Sequence, residues 1–194
     1  VTCEVTPHHL TLSDAAILGL QDGKSPFGPL LQNAYDTDAK GAPPLRSTKD
    51  MASMVHGLRE GTIDIIATDH APHSTADKLC TLEEAASGIS GLETALGALM
   101  SLVHSNDISL YTLVERLTAA PARLLGNGLG TLRPGSAADV TVFNPTQEWV
   151  VNSNAFASKG RNTPLNGTTL RGKVVATIVG GNLVFSAQEA AKGD

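Results

Sequence analysis

Hydrophobic and polar positions along the chain follow two regimes, and the change falls near Gly126. Before it, short β-branched runs alternate with segments whose apolar residues recur three and four apart. Residues 1–6, "VTCEVT", alternate β-branched with other residues, which predicts a strand. In the following "TPHHLTLSDAAILGL", Ser13-Asp14 is placed to start a short helix. Residues 21–45 are rich in Gly, Pro, Asp and Asn and predict a long loop, a feature that in compact domains usually serves function. In "STKDMASMVHGLREG", Met51, Met54, Val55 and Leu58 share one helical face. Ser47 or Thr48 can cap its start, and Gly61 ends it. "TIDIIAT" is short and nearly all apolar, the pattern of a strand covered on both faces. Helices are predicted over residues 92–104 and 110–117, and a helical turn over "AAPARLLG".

After Gly126 the chain reads as β structure. Gly-rich turns lead into a strand over residues 139–143, and "EWVV" makes a second short strand. "KVVATIVGGNLVF" is a hairpin of two apolar runs joined by Gly180-Gly181. The pattern therefore predicts an α/β chain in three parts. Residues 1–125 form the end of a parallel α/β unit, residues 126–186 a β appendage, and residues 187–194 a frayed tail. Because "VTCEV" already reads as a strand at residue 1, the chain is expected to be the C-terminal part of a longer protein.

Composition adds bounds. The 194 residues are 41% hydrophobic and 17% charged, an ordinary globular balance. A net charge of −5 argues against nucleic acid as a main partner, since phosphate binding needs a basic face. No apolar run reaches the ~20 residues of a membrane span. Two cysteines, Cys3 and Cys80, make no disulfide framework and read as reduced thiols of a cytosolic protein, with Cys3 small and buried.

The chemistry concentrates where the apolar run ends, in "TIDIIATDHAPHS". Asp69 follows the strand directly, and C-terminal strand ends are where reactive residues collect in parallel α/β folds. An Asp there can ligate a metal or take a proton from a bound water. It can equally cap the next turn, with His70 and His73 on the surface, and the residues alone leave both readings open. Pro72 keeps the segment extended, so His73 is free to point into a pocket. His8-His9 follows the first strand. On an extended chain the two point opposite ways, so at most one enters a site, and a hydrogen-bonding role is expected of them. His56 and His104 fall on predicted helices and read as structural or solvent-facing. No complete metal-ligand set, nucleophile elbow or phosphate loop is present.

Taken in order, "EVTPHHL", "PPLRS", "GTIDIIATDHAPHS", "GISGLETAL", "GTLRPGSAADVTVF", "SKGRNTP" and "GKVVATIVGG" resemble the class I dihydroorotases over nearly the whole chain. The resemblance implies the C-terminal part of a metal-dependent (β/α)8 barrel with a small β-sandwich, and an enzyme that interconverts N-carbamoyl-L-aspartate and L-dihydroorotate in pyrimidine synthesis. It implies one or two zinc ions, with most ligands upstream of Val1, so that the isolated chain is expected to be inactive. By position, Asp69 resembles the family's metal ligand and proton shuttle. His73 resembles the histidine that binds the substrate carboxylate, and Ser87-Gly88 a Phe-Gly pair whose backbone meets the ring. Ala42 stands where the family has a substrate-binding Asn; an unpaired partner there costs on the order of 1–3 kcal/mol. Ala42 and Ser87 leave room for a related cyclic-amide hydrolase, an allantoinase or hydantoinase. A third reading is a non-catalytic scaffold for aspartate carbamoyltransferase, against which the intact "TDHAPH" argues. A small molecule is the expected partner, with that transferase or a second copy as possible protein partners.

Overall fold

The computed structural model describes residues 1–19, 34–126 and 128–190. Residues 21–33 of the predicted loop and 191–194 of the predicted tail lie outside them. Strand β1 (Glu4–Val5) pairs in parallel with β2 (Ile65–Ile66), in the register Glu4 with Ile65 and Val5 with Ile66. Parallel neighbours need a long crossover. Here it carries α1 (Pro7–Thr11), α2 (Ala15–Leu18), a 3₁₀ turn (Thr37–Ala39) and α3 (Thr48–Glu60). Both isoleucines of β2 are buried, as a strand covered on two faces requires. Helix α3 is bounded as its sequence predicts: Ser47 and Asp50 form a reciprocal capping box, and Gly61 takes the left-handed conformation at φ 83°.

Several elements depart from the expectation. "PHHLT" is helical, not extended, because the Thr6 hydroxyl accepts the His9 N–H and Pro7 opens the first turn. On a helix His8 turns inward and is buried, while His9 is half-exposed. "STADK" holds an unpredicted short helix, α4 (Thr75–Lys78), started by a Ser74–Asp77 capping box. Cys3 is exposed, its thiol on the Thr62 carbonyl at 3.1 Å, because it precedes the paired residues at the strand's outer end. The two strands predicted at 139–143 and "EWVV" are one, β3 (Val140–Val150), which stays paired across irregularities at Val142/Phe143 and Asn144/Glu148.

Helices α5 (Ala95–His104), α6 (Leu110–Leu117) and α7 (Ala119–Leu125) follow close to their predicted places, α5 starting three residues late. The sheet that ends the chain runs β3, β4 (Thr169–Val179), β5 (Asn182–Ser186), all antiparallel, and Ala187–Ala190 adds one helical turn. One apolar core joins Val5, Leu10, Leu58, Ile66, Leu99, Met100 and Leu113; a second joins Leu12, Leu45, Ala98, Val151 and Leu170. No helix of the described residues is long and apolar enough to cross a membrane.

Two changes test this packing. Gly172 sits at φ +109°, and a Cβ there would meet Met100 Cγ of α5 at 2.7 Å. Gly172→Ala is expected to cost roughly 2 kcal/mol or more, from strain and overpacking together. Gly180→Ala, with open space around it, should cost about half as much. Urea unfolding midpoints compare them. His8 is buried, which with neighbouring His9 lowers its pKa from 6.5 to about 4. The unfolded chain thus binds the proton that the folded chain refuses, so stability falls as pH drops from about 6.5 toward 4, by about 3 kcal/mol in all. His8→Gln should remove that part of the acid sensitivity; an unchanged pH profile of the unfolding midpoint would contradict it.

Candidate active site

A cleft of about 540 Å³ opens beside the C-terminal ends of β1 and β2. Its walls include Thr6 and His9 from the β1 end, Ala42 to Pro44 and Arg46 from the crossover, Met51 and Met54 of α3, and Asp69. Asp69 follows β2 by three residues at φ 48°, the left-handed region that Asp tolerates better than most residues. Its side chain is exposed to the cleft, and its carboxylate has no hydrogen-bond partner among the described residues. The chain thus spends conformational energy at this residue and leaves its carboxylate free for a ligand. His9 stands across the cleft with both ring nitrogens occupied: Nδ1 meets the Thr6 hydroxyl at 2.7 Å, and Nε2 donates to Pro43 O at 3.1 Å. It buttresses the wall, in keeping with the hydrogen-bonding role expected of it.

The remaining predicted residues gather in a second group. His73, Ser87 and Gly88 touch one another but do not line the cleft surface described above. The Ser87 carbonyl can only accept, so His73 Nε2 carries a hydrogen and donates it at 3.0 Å. That leaves His73 Nδ1 as the unoccupied ring position among the described residues. Gly88 lies at φ +148°, and a Cβ there would meet Ala71 at 2.6 Å and His73 Nε2 at 2.8 Å. Only glycine leaves the imidazole its place. The Gly88 N–H donates to Lys40 O at 2.8 Å, and its carbonyl accepts from both Lys78 Nζ and Asn162 Nδ2. At this pair the backbone N–H still unspent among the described residues is that of Ser87.

His70 is a brace. Its Nδ1 accepts the N–H groups of Gly91 and Leu92 at 3.1 and 3.3 Å, so the proton sits on Nε2, which faces Ser158 Oγ at 3.2 Å. A parallel bridge to Ile89 fixes the same residue.

Two residues that sequence reasoning passed over organise the site. Asn162 is 4% exposed and uses its whole hydrogen-bonding capacity. Its amide donates to Ala71 O and Gly88 O, both at 3.0 Å; its Oδ1 accepts from His73 N at 2.9 Å and Ser90 Oγ at 2.8 Å. Lys78, 6% exposed, donates to three backbone carbonyls, of Thr37, Ala86 and Gly88, at 2.8–2.9 Å. All Asn162 side-chain partners lie more than 70 positions away in sequence. No local pattern announces such a residue.

The fit to a metal is incomplete. Among the described residues, no three His, Cys, Asp or Glu side chains come together closely enough to hold an ion. Asp69 offers one carboxylate, and a single ligand of this kind does not fix a cation in competition with water.

Residues 31–184 match the model of the amidohydrolase family. The chain is 45% identical over 185 residues to a dihydroorotase of Syntrophus aciditrophicus, covering 95% of this chain and 40% of that protein. It is 46% identical over 190 residues to a dihydroorotase of Anaeromyxobacter sp. strain K, covering 98% and 41%. Among solved structures, the L-hydantoinase (dihydropyrimidinase) of Arthrobacter aurescens superposes with a TM-score of 0.79 at 30% identity, covering 96% of this chain and 39% of that one. The dihydropyrimidinase of Brevibacillus agri superposes at 0.80 and 22% identity, with the same shares. The chain thus spans about two-fifths of the length of these curated relatives. The parallel β1–β2 pair, the crossover between them and the family match agree on an α/β amidohydrolase barrel portion: the chain belongs to the amidohydrolase family.

Proposed function

We propose that this chain is the C-terminal portion of a dihydroorotase, which opens the ring of dihydroorotate by attack of water on its cyclic amide and closes it by the reverse step, in which the amide forms and water leaves. The observation that carries the reading is Asp69: a strained, unpartnered carboxylate at the C-terminal end of a parallel strand, facing a cleft. The dihydroorotase relatives at 42–46% identity over nearly all of the chain support the substrate class. In this reading residues 1–125 belong to the barrel and 126–186 to a β-sandwich, of which β3, β4 and β5 are one sheet. Asp69 would be one ligand of a catalytic metal, zinc, whose other ligands would come from parts of the protein outside these residues. When bound, that metal would supply polarisation of the amide and acidification of water.

The chain's own residues do the rest. Asp69 takes the proton of the attacking water and delivers it to the ring nitrogen, the double task for which an unbonded carboxylate suits. His73 faces the substrate carboxylate through Nδ1, the ring position its Ser87 bond leaves unoccupied. A protonated ring presents a donor and a positive charge there. Ser87 meets the ring through its backbone, Gly88 keeps clear of the His73 ring, and Ala42 forms an apolar stretch of the cleft wall where the resemblance implies an amide. The small molecule is the primary partner; association with aspartate carbamoyltransferase or a second copy belongs to the same reading.

A hydantoinase-type activity is the second reading, favoured by the 30%-identical L-hydantoinase structure. Turnover of dihydroorotate, hydantoin and dihydrouracil by the full-length protein separates them. The expected result is a kcat/KM for dihydroorotate above the other two; preference for an uncharged ring would overturn the dihydroorotase reading. In that protein Asp69→Asn should lower kcat by about 10²–10⁴-fold, the usual contribution of a positioned proton carrier. Its melting temperature should hold, since Asn accepts the left-handed backbone as Asp does. His73→Ala should instead raise KM for dihydroorotate about tenfold or more, the loss of one charge-assisted hydrogen bond.

A further inference from the structure

We infer that Lys78 is a positioning residue of this site: its buried ammonium holds the carbonyls of Ala86 and Gly88, one on each side of the Ser87–Gly88 peptide, and through that peptide the ring of His73. The inference rests on the reading of His73 as the substrate-carboxylate contact and extends it to a residue that touches no substrate. A lysine in "STADKLC" looks like a solvated surface residue. It is buried, and its three ammonium hydrogens go to the carbonyls of Thr37, Ala86 and Gly88. With every donor spent, Lys78 has nothing to offer a substrate and no part in proton transfer. Among the described residues it makes no ion pair with Asp36 or Asp38, although both lie near enough to feel its charge. What it does is join three backbone segments at one point.

The geometry closes into a ring of contacts around His73. Helix α4 starts at the Ser74 cap, immediately after His73, and ends at Lys78. Lys78 Nζ reaches across to Gly88 O, and one residue back the Ser87 carbonyl accepts from His73 Nε2. Rotating the Ser87–Gly88 peptide would remove the acceptor that sets the His73 ring. Gly88 N–H to Lys40 O resists that rotation directly, and Asn162 Nδ2 to Gly88 O holds the next peptide beside it. Lys78 also ties this peptide to the 36–40 segment, since its own carbonyl accepts from Thr37 Oγ1 at 2.7 Å. Ala42 follows two residues after Lys40, so one ammonium holds the substrate-binding group on one side and the approach to the cleft wall on the other. Losing it frees the His73 ring without moving Asp69, which follows β2 and touches none of these groups.

The test is steady-state kinetics of dihydroorotate hydrolysis by the full-length protein carrying Lys78→Met, with His73→Ala and Gly172→Ala beside it. Lys78→Met should raise KM about tenfold while kcat stays within about threefold, the pattern of lost substrate positioning rather than lost chemistry. Gly172→Ala reports what lowered stability alone does and should leave KM unchanged. If Lys78→Met does not fold, Thr37→Val, which removes only the reciprocal bond, should raise KM about threefold. Unchanged KM in these variants while His73→Ala raises it would overturn the role of Lys78 and spare that of His73. Unchanged KM in His73→Ala would overturn the site reading and this inference with it. A fall in kcat at constant KM for Lys78→Met would also overturn it, by placing the residue in the chemistry.

Discussion

One buried amide sets the terms for the site. Asn162 stands where the segment after β2, the 87–90 segment and its own loop meet, and it bonds backbone or hydroxyl groups from the first two at once. A buried carbonyl or N–H without a partner costs on the order of 1–3 kcal/mol. Ala71, His73 and Gly88 each present such a group to a region where no helix or ladder can satisfy it. Supplying all of them from one side chain makes the loops interdependent. Gly160, close by, shows how tight the junction is: a side chain there would collide with Pro72 and Ser90. Loops that carry reactive residues are ordinarily the mobile parts of a fold. Here the amide, the Lys78 ammonium and the His70 ring replace the missing secondary structure with side-chain bonds.

Against that rigid frame Asp69 is the exception. Its neighbour His70 is bonded at both ring nitrogens, yet the Asp69 carboxylate bonds to no group among the described residues. Left-handed backbone at a non-glycine residue costs roughly 1–2 kcal/mol. The bonds at His70 and Ala71 hold the chain in place just beyond it and are strong enough together to sustain that cost. The arrangement separates two tasks. On the proposed function, the binding groups are immobilised by neighbours that bond only to protein, while the proposed proton carrier is aimed by its backbone and left unpaired among the described residues.

How much of this is legible in the sequence follows from the range of the interactions. The α3 capping box, the Gly61 stop, the Gly180-Gly181 hairpin and the apolar β2 depend on residues a few positions apart, and each stands where the pattern puts it. The helix at His8-His9 escapes the pattern although its Thr6 cap and Pro7 are local, because the alternation of the preceding strand runs on into them. Asp69 and Ala42 do share a cleft, and His73, Ser87 and Gly88 do meet. That these are two groups and not one cannot be read from spacing. Asn162 and Lys78 are invisible for a different reason. Each is polar in a polar stretch, and its burial is created by segments that arrive from far along the chain.

Under the proposed function, the cleft wall also bears on which ring is selected. Pro43, Pro44, Met51, Met54 and Ala42 offer shape and apolar contact, which a dihydroorotate ring and an uncharged hydantoin ring use about equally. Specificity is a difference of two affinities, and contacts common to both substrates cancel from it. Glu4, Asp50 and Asp69 place carboxylates on the same wall, a field that by itself repels an anionic substrate. Asp50 is tied up by Ser47, which leaves Arg46 as the cationic side chain on this wall among the described residues. On the proposed function, discrimination in favour of a carboxylated ring therefore falls to Arg46 on this wall and to His73 outside it. An amide at position 42 would add polarity but no charge, so its replacement by alanine weakens binding of either ring more than it changes the preference between them.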